Sequence, residues 1–214
     1  MKEPPKPNRN EFMDDEMREW WGGMGPLPGQ LRLYGGTALA LYRNHRASPN
    51  FAFATPQAVV DLNFVGQFSW LKGAELNGGP GMVDAIIQGK TRDLIVTFME
   101  CGSLVPFPSK EPVIASNGVA VAHPIDLVAS KMAACISREQ KRDYDDMAEA
   151  IKAWPEWCRQ AVHVLKNYRP ATISRALAAS PHAIHERLDT ETVNGLRAFA
   201  RGLAHTKNNL DLGL

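Results

Sequence analysis

Cysteine is scarce. The 214-residue chain carries three, Cys101, Cys135 and Cys158, and no two of them form a CxxC pair. An odd, unclustered set excludes a disulfide scaffold, argues against a structural zinc site and fits a reducing compartment. Long apolar runs are missing as well: none approaches the roughly 18 residues that a membrane-spanning helix needs. The opening Met1-Lys2-Glu3-Pro4-Pro5-Lys6-Pro7 lacks the apolar stretch of a signal peptide, so the expectation is a cytoplasmic protein without a membrane partner. Excess charge of either sign is absent too. Lys and Arg number 24 against 23 Asp and Glu, a net charge of +1, and no global field draws the chain onto nucleic acid, although a local basic patch stays open. Neither a Walker-type loop nor a Ser-His-Asp arrangement can be read from the sequence. What remains is ordinary globular composition, 44% hydrophobic and 22% charged, which excludes a mainly disordered or collagen-like chain. The length suits one domain, or a small domain with a helical part appended.

Hydrophobic patterning divides the chain in three. Residues 1–22 read as a polar, proline-rich lead and a short acidic helix over 11–21 (EFMDDEMREWW), with Phe12, Met13, Met17, Trp20 and Trp21 available for one apolar face and Gly22-Gly23 as its stop. Residues 23–122 read as a mixed α/β core. Leu31 to Tyr34 is a short strand, Gly35-Gly36-Thr37 a turn, and Ala38 to Tyr42 a helix closed by Asn44-His45-Arg46. Phe51 to Phe53 is a second strand. Thr55-Pro56 predicts a helix running to about Phe68. Strands are expected at 74–77, 82–88, 93–99 and 119–122, the middle pair forming a hairpin around Gly89-Lys90. Residues 123–214 read as helical, from Pro124 with Asp126 in the first turn, then near 142–154, 156–168, 171–179 and 189–204. The fold class is therefore α/β in the α+β sense.

Three clusters bear on chemistry. Gly35-Gly36-Thr37 stands at a strand-to-helix junction, where glycines let a phosphate approach the backbone and helix-start N–H groups attract anions; a plain turn is the alternative. The second cluster is His45-Arg46-Ala47-Ser48-Pro49-Asn50-Phe51-Ala52-Phe53. The third runs from Pro124-Ile125-Asp126-Leu127 through Lys131 to Arg138, Arg142, Asp143 and Asp146. Asp143 and Asp146 lie at i and i+3, on one helical face. Capping by Asp143 and snorkelling by Lys131 are the structural alternatives.

In this order the clusters resemble the AbiEii/AbiGii nucleotidyltransferase toxins of phage-defence and toxin–antitoxin systems. The matching residues are Gly35, Gly36, Thr37, His45, Arg46 and Ser48, then Lys131, Arg138, Arg142, Asp143 and Asp146, and the likeness covers about residues 31–150. The resemblance implies a minimal nucleotidyltransferase sheet with flanking helices. It implies Mg²⁺ and a nucleoside triphosphate as cofactor and substrate, transfer of a nucleotidyl group to an acceptor such as tRNA or another RNA, and a cognate antitoxin protein as partner. It also implies a phosphate-contacting role for Lys131.

One departure bears on activity. The family's Asp-x-Asp pair falls on Asn50 and Ala52. Mg²⁺ takes hard, anionic oxygen ligands; Asn50 offers a neutral carbonyl and Ala52 nothing. Three explanations stay open. A natural pseudoenzyme would keep the fold as a nucleotide-, RNA- or partner-binding module. Other acids would replace the pair, with Asp61, Asp84 and Asp93 nearest in sequence. Or the two residues would be deliberate inactivating replacements. His182 and His185, beside Glu186, have a spacing compatible with metal binding, without further ligands nearby to complete a site.

Overall fold

In a computed structural model, residues 3–28, 30–56, 59–102, 105–178 and 188–210 are described, the last seven as backbone only. The chain divides into two units, one of residues 1–102 and 110–127, the other of 103–109 and 128–214.

The first unit is built on a seven-stranded mixed sheet. Its strands are β1 (Arg32–Tyr34), β2 (Phe51–Thr55), β3 (Glu75–Gly79), β4 (Met82–Ile87), β5 (Leu94–Glu100), β6 (Val113–Ile114) and β7 (Ala120–Val121), in the spatial order β3-β4-β5-β2-β1-β7-β6. β2 runs parallel to β5, and β1 parallel to β7; the other pairings are antiparallel. Alternation along β5 explains why one face is core. Leu94, Val96 and Phe98 are buried, while Ile95, Thr97 and Met99 between them are half-buried. Phe98 stacks on Phe53 with ring centroids 5.7 Å apart and on Phe68 at 5.2 Å.

Helix α1 (Asp15–Met24) starts where Asp14 accepts the Met17 backbone N–H at 2.7 Å, with Asp15 and Glu16 in the first turn complementing the dipole. It does not stop at Gly22-Gly23 as the sequence predicts. It runs through both glycines to a C-cap at Gly25, φ +58°. Met13, Met17, Trp21 and Met24 are buried as one stripe, and Trp21 stacks on Phe51 at 5.8 Å. A mid-helix glycine costs about 1 kcal/mol against alanine, which two buried large side chains outweigh. Phe12 and Trp20 are only half-buried.

Helix α2 (Gly35–Arg43) begins directly on Gly35 and closes at Asn44, whose left-handed backbone (φ 52°) returns its N–H to the Ala40 carbonyl. The long helix expected from Thr55 is corrected. Thr55 is the last residue of β2, paired with Glu100, and its carbonyl accepts the Cys101 N–H at 3.0 Å. A β-branched residue in a full ladder serves the strand rather than a cap. The helix that does form, α3 (Leu62–Gly66), is capped by Asp61, which accepts the Phe64 N–H at 2.7 Å. A 3₁₀ turn at Ser69–Leu71 follows.

The second unit is helical. α4 (Pro124–Ser137) has its first turn in the first unit and the remainder here, followed by α5 (Lys141–Ala153), α6 (Pro155–Val164), α7 (Pro170–Ala178) and α8 (Thr190–Leu210). Prolines at the start of α4, α6 and α7 fit positions whose N–H has no helical partner. Trp154 and Trp157 lie 5.5 Å apart at the α5–α6 junction, and α8 packs on α5 and α7, with Ser174 Oγ donating to the Ala200 carbonyl at 2.9 Å. No helix among the described residues is long and apolar enough to cross a membrane.

Candidate functional site

The motif residues fall into two sets, one in each unit. In the first unit, the segment after Asn44 turns back toward the start of α2. There the Arg46 guanidinium lies on Gly36: a Cβ at position 36 would come within 2.5 Å of Arg46 Nη2 and 2.9 Å of Ser48 Oγ. A side chain there would have to push Arg46 and Ser48 aside. Arg46 Nη1 also donates to the Ala47 carbonyl at 2.9 Å. The buried Thr37 hydroxyl is 2.9 Å from Ser48 Oγ and bonds the Asn50 carbonyl. Gly35 has φ +76°, which favours glycine, and a Cβ there would sit 3.6 Å from the Ala52 Cβ. Gly35, Gly36, Thr37, Arg46, Ser48, Asn50 and Ala52 are thus brought together, with His45 half-buried beside Arg46 in sequence.

The charge at this spot is informative. The first turn of α2 contains no acidic residue, and its N-cap, Tyr34, makes no side-chain cap. A guanidinium therefore lies near the positive end of a helix dipole, beside the helix-start N–H groups. Helix-start N–H groups and a forked cation together suit a phosphate.

The metal positions tell differently. Asn50 is exposed and Ala52 half-buried, and their side chains supply no carboxylate. Of the possible replacements, Asp61 is the α3 cap. Asp93 is exposed, and its neighbour Arg92 pairs not with it but with Asp14 at 2.9 Å. Asp84 is half-buried and accepts the Thr97 hydroxyl at 2.5 Å. Register sets Asn77, Asp84, Thr97, Ala52 and Tyr34 in one row across five strands. Asp84 thus shares the face of Ala52 but lies two strands away, roughly 10 Å at the usual strand spacing. Among the described residues no three His, Cys, Asp or Glu side chains converge as a metal site, and the residues at 50 and 52 do not fit the Mg²⁺ pair that the resemblance implies. His182, His185 and Glu186 lie outside the described residues. Thr97 was not singled out from sequence; its partnership with Asp84 is a matter of register, which no local pattern displays.

In the second unit, Lys131 of α4 is 4% exposed, and its ammonium lies 3.1 Å from Asp143 and 2.6 Å from Asp146, both fully buried. Arg138 clamps Asp143 from the solvent side with two bonds of 3.0 Å. Asp143 is not a side-chain cap: the N-cap of α5 is Gln140, and the carboxylate turns to the two cations instead. Arg142 is exposed. The formal charges of these two cations and two carboxylates balance, and Lys131 is held by carboxylates rather than snorkelling to solvent. Nearby, burial pushes the Cys135 thiol far up; it likewise pushes Cys101 up to about 11 and Cys158 to about 12, so none is a nucleophilic thiolate at neutral pH.

No protein-family model matches this chain, and no curated protein matches it.

Proposed function

We propose that this chain is a nucleotidyltransferase-fold protein of the AbiEii/AbiGii toxin type that holds the phosphates of a nucleotide at the start of α2 without transferring the nucleotidyl group. The observation that carries this reading is the Arg46 guanidinium packed on Gly36 at an acid-free helix start. A helix start and a forked guanidinium side by side are chemistry that a phosphate fits. The order of the motifs along the chain supplies the family part of the reading. Exposed Asn50 and half-buried Ala52, where carboxylates would hold Mg²⁺, supply the loss of transfer. In this reading RNA such as tRNA or an antitoxin-like protein is a binding partner, not an acceptor.

The rival reading is an active enzyme of the same family that has recruited Asp84; the observation in its favour is that Asp84 and Thr97 share the face of Ala52. Calorimetric titration with the four nucleoside triphosphates, each with Mg²⁺ and with a chelator, separates the two. The proposal expects saturable binding that survives chelation and falls at least tenfold in Arg46→Ala, the loss of a charge-assisted contact of about 1.5–3 kcal/mol. Absence of binding by every triphosphate, or equal binding by Arg46→Ala, refutes it. Binding that requires Mg²⁺ and is abolished by Asp84→Asn supports the rival.

A further inference from the structure

A recess in the first unit has no part in the Arg46 set. It has a volume of about 600 Å³ and is lined by Glu16, Glu19, Trp20 and Gly23 of α1, by Trp70 of the 3₁₀ turn, and by residues 88–90 after β4. Volumes of this order suit small ligands. Glu16, Trp20 and Gly23 recur at i, i+4 and i+7, one stripe of α1. A Cβ at Gly23 would meet nothing within 4 Å, so the space beside this wall is open.

The walls are of two kinds. Trp20 and Trp70 present indole rings, and Trp70 is held in place by stacking on Phe68 at 6.3 Å. Its buried Nε1–H has no acceptor among the described residues. The rim is acidic. Glu16 is fixed by the Lys90 backbone N–H at 2.6 Å and the Thr91 hydroxyl at 2.9 Å, and these bonds hold its carboxyl below the usual glutamate range. Glu19 is exposed beside it. Gly89 permits this arrangement, since a Cβ there would come within 2.6 Å of Glu16 Oε1. With Lys90 as the one cation among the lining residues, the recess carries a net charge of −1.

We propose that this recess binds an organic cation, an ammonium or guanidinium group on an aliphatic stem. Indole rings attract such a group through the ring quadrupole, and the two carboxylates supply opposite charge. The same charges repel phosphates, so the recess is not part of the nucleotide site. A free polyamine and a lysine or arginine side chain of a polypeptide share this chemistry.

The test is ¹⁵N-detected titration of the indole N–H resonances of the five tryptophans, using the whole chain. The probes are spermidine, acetyl-arginine-amide, acetyl-lysine-amide and ATP. Trp20 and Trp70 are expected to shift saturably with at least one cationic probe and not with ATP. Glu19→Gln, at an exposed position that leaves folding intact, is expected to weaken that binding at least fivefold, and Trp20→Phe to weaken it as well. Response to spermidine alone supports a free amine; response to the capped residues supports a side chain of a polypeptide partner. The inference is overturned if no cationic probe shifts Trp20 or Trp70 saturably, if ATP shifts them as strongly, or if Glu19→Gln leaves the affinity unchanged.

Discussion

Lys131→Met is the perturbation that most sharply tests the network in the second unit. The substitution keeps the length of the side chain and removes its charge. In the native chain Lys131 and Arg138 balance Asp143 and Asp146, two cations against two anions. Lys131 and both carboxylates are almost completely buried, with ion-pair distances of 3.1 and 2.6 Å, while the Arg138 side chain is 41% exposed. Removing Lys131 leaves a buried excess charge of −1. Breaking a buried pair in this way costs about 3–5 kcal/mol, mostly as the penalty for the uncompensated ion. Against a total stability of about 5–15 kcal/mol this is a large share. At roughly 2–4 °C per kcal/mol for a chain of this size, the melting temperature should fall by about 6–20 °C. Urea melts followed by tryptophan fluorescence, with Trp154 and Trp157 in the same unit, give the free energy. Adding Asp146→Asn to Lys131→Met restores neutrality, with Arg138 left to balance Asp143, and should recover more than half of the loss. A loss below about 1 kcal/mol, the range of exposed pairs, or a double variant no better than the single, refutes the reasoning.

Other predictions concern the first unit. Gly36→Ala should displace Arg46 and Ser48 from the start of α2 and abolish triphosphate binding while leaving most of the fold intact by circular dichroism. Asp14→Ala removes the α1 cap and the Arg92 contact and should cost about 0.5–2 kcal/mol in a denaturant melt. Asp14 also sets a pH dependence. Its bond from the Met17 N–H, and then its pairing with Arg92, hold its carboxyl below the usual value of 3.8. Its contribution is therefore fully present above that value and is lost as pH falls through the lower folded one. Asp14→Asn should make thermal stability less acid-dependent over that window, as scanning calorimetry from neutral to about pH 2 would show. Gly25→Ala, at φ +58° and ψ −168°, a region that glycine alone readily adopts, should cost about 1–3 kcal/mol in the same melt, through backbone strain rather than contact.

Much of this architecture is legible in the sequence because its signals are local. The alternation in 82–88 and 93–99, the glycines before Ala38 and the prolines opening α4, α6 and α7 each carry their own physical reason. Misreadings arise where tertiary contacts outweigh local preference. Trp21 and Met24 carry α1 across Gly22-Gly23, and the pairing of Thr55 with Glu100 turns an apparent helix start into a strand end. β6 is two residues long, too short for alternation to register. The site divides in the same way. The order of the glycines, Arg46 and Ser48 is visible along the chain, but the seating of Arg46 on Gly36 depends on the return of the chain after Asn44. Lys131 stands out as a charge on an apolar stripe; that two carboxylates rather than solvent receive it depends on how α5 packs against α4. The pairing of Asp84 with Thr97, and the joining of Trp20 to Trp70 around one recess, require the register and placement of elements far apart in sequence.

Labelled-nucleotide transfer tests the central claim most directly. Purified chain, Mg²⁺, each α-labelled triphosphate and total tRNA are incubated and the RNA is resolved on a gel, with Asn50→Asp/Ala52→Asp in parallel. The account predicts that the chain retains triphosphate binding and leaves the RNA unlabelled. Mg²⁺-dependent labelling by the chain as it stands would contradict it.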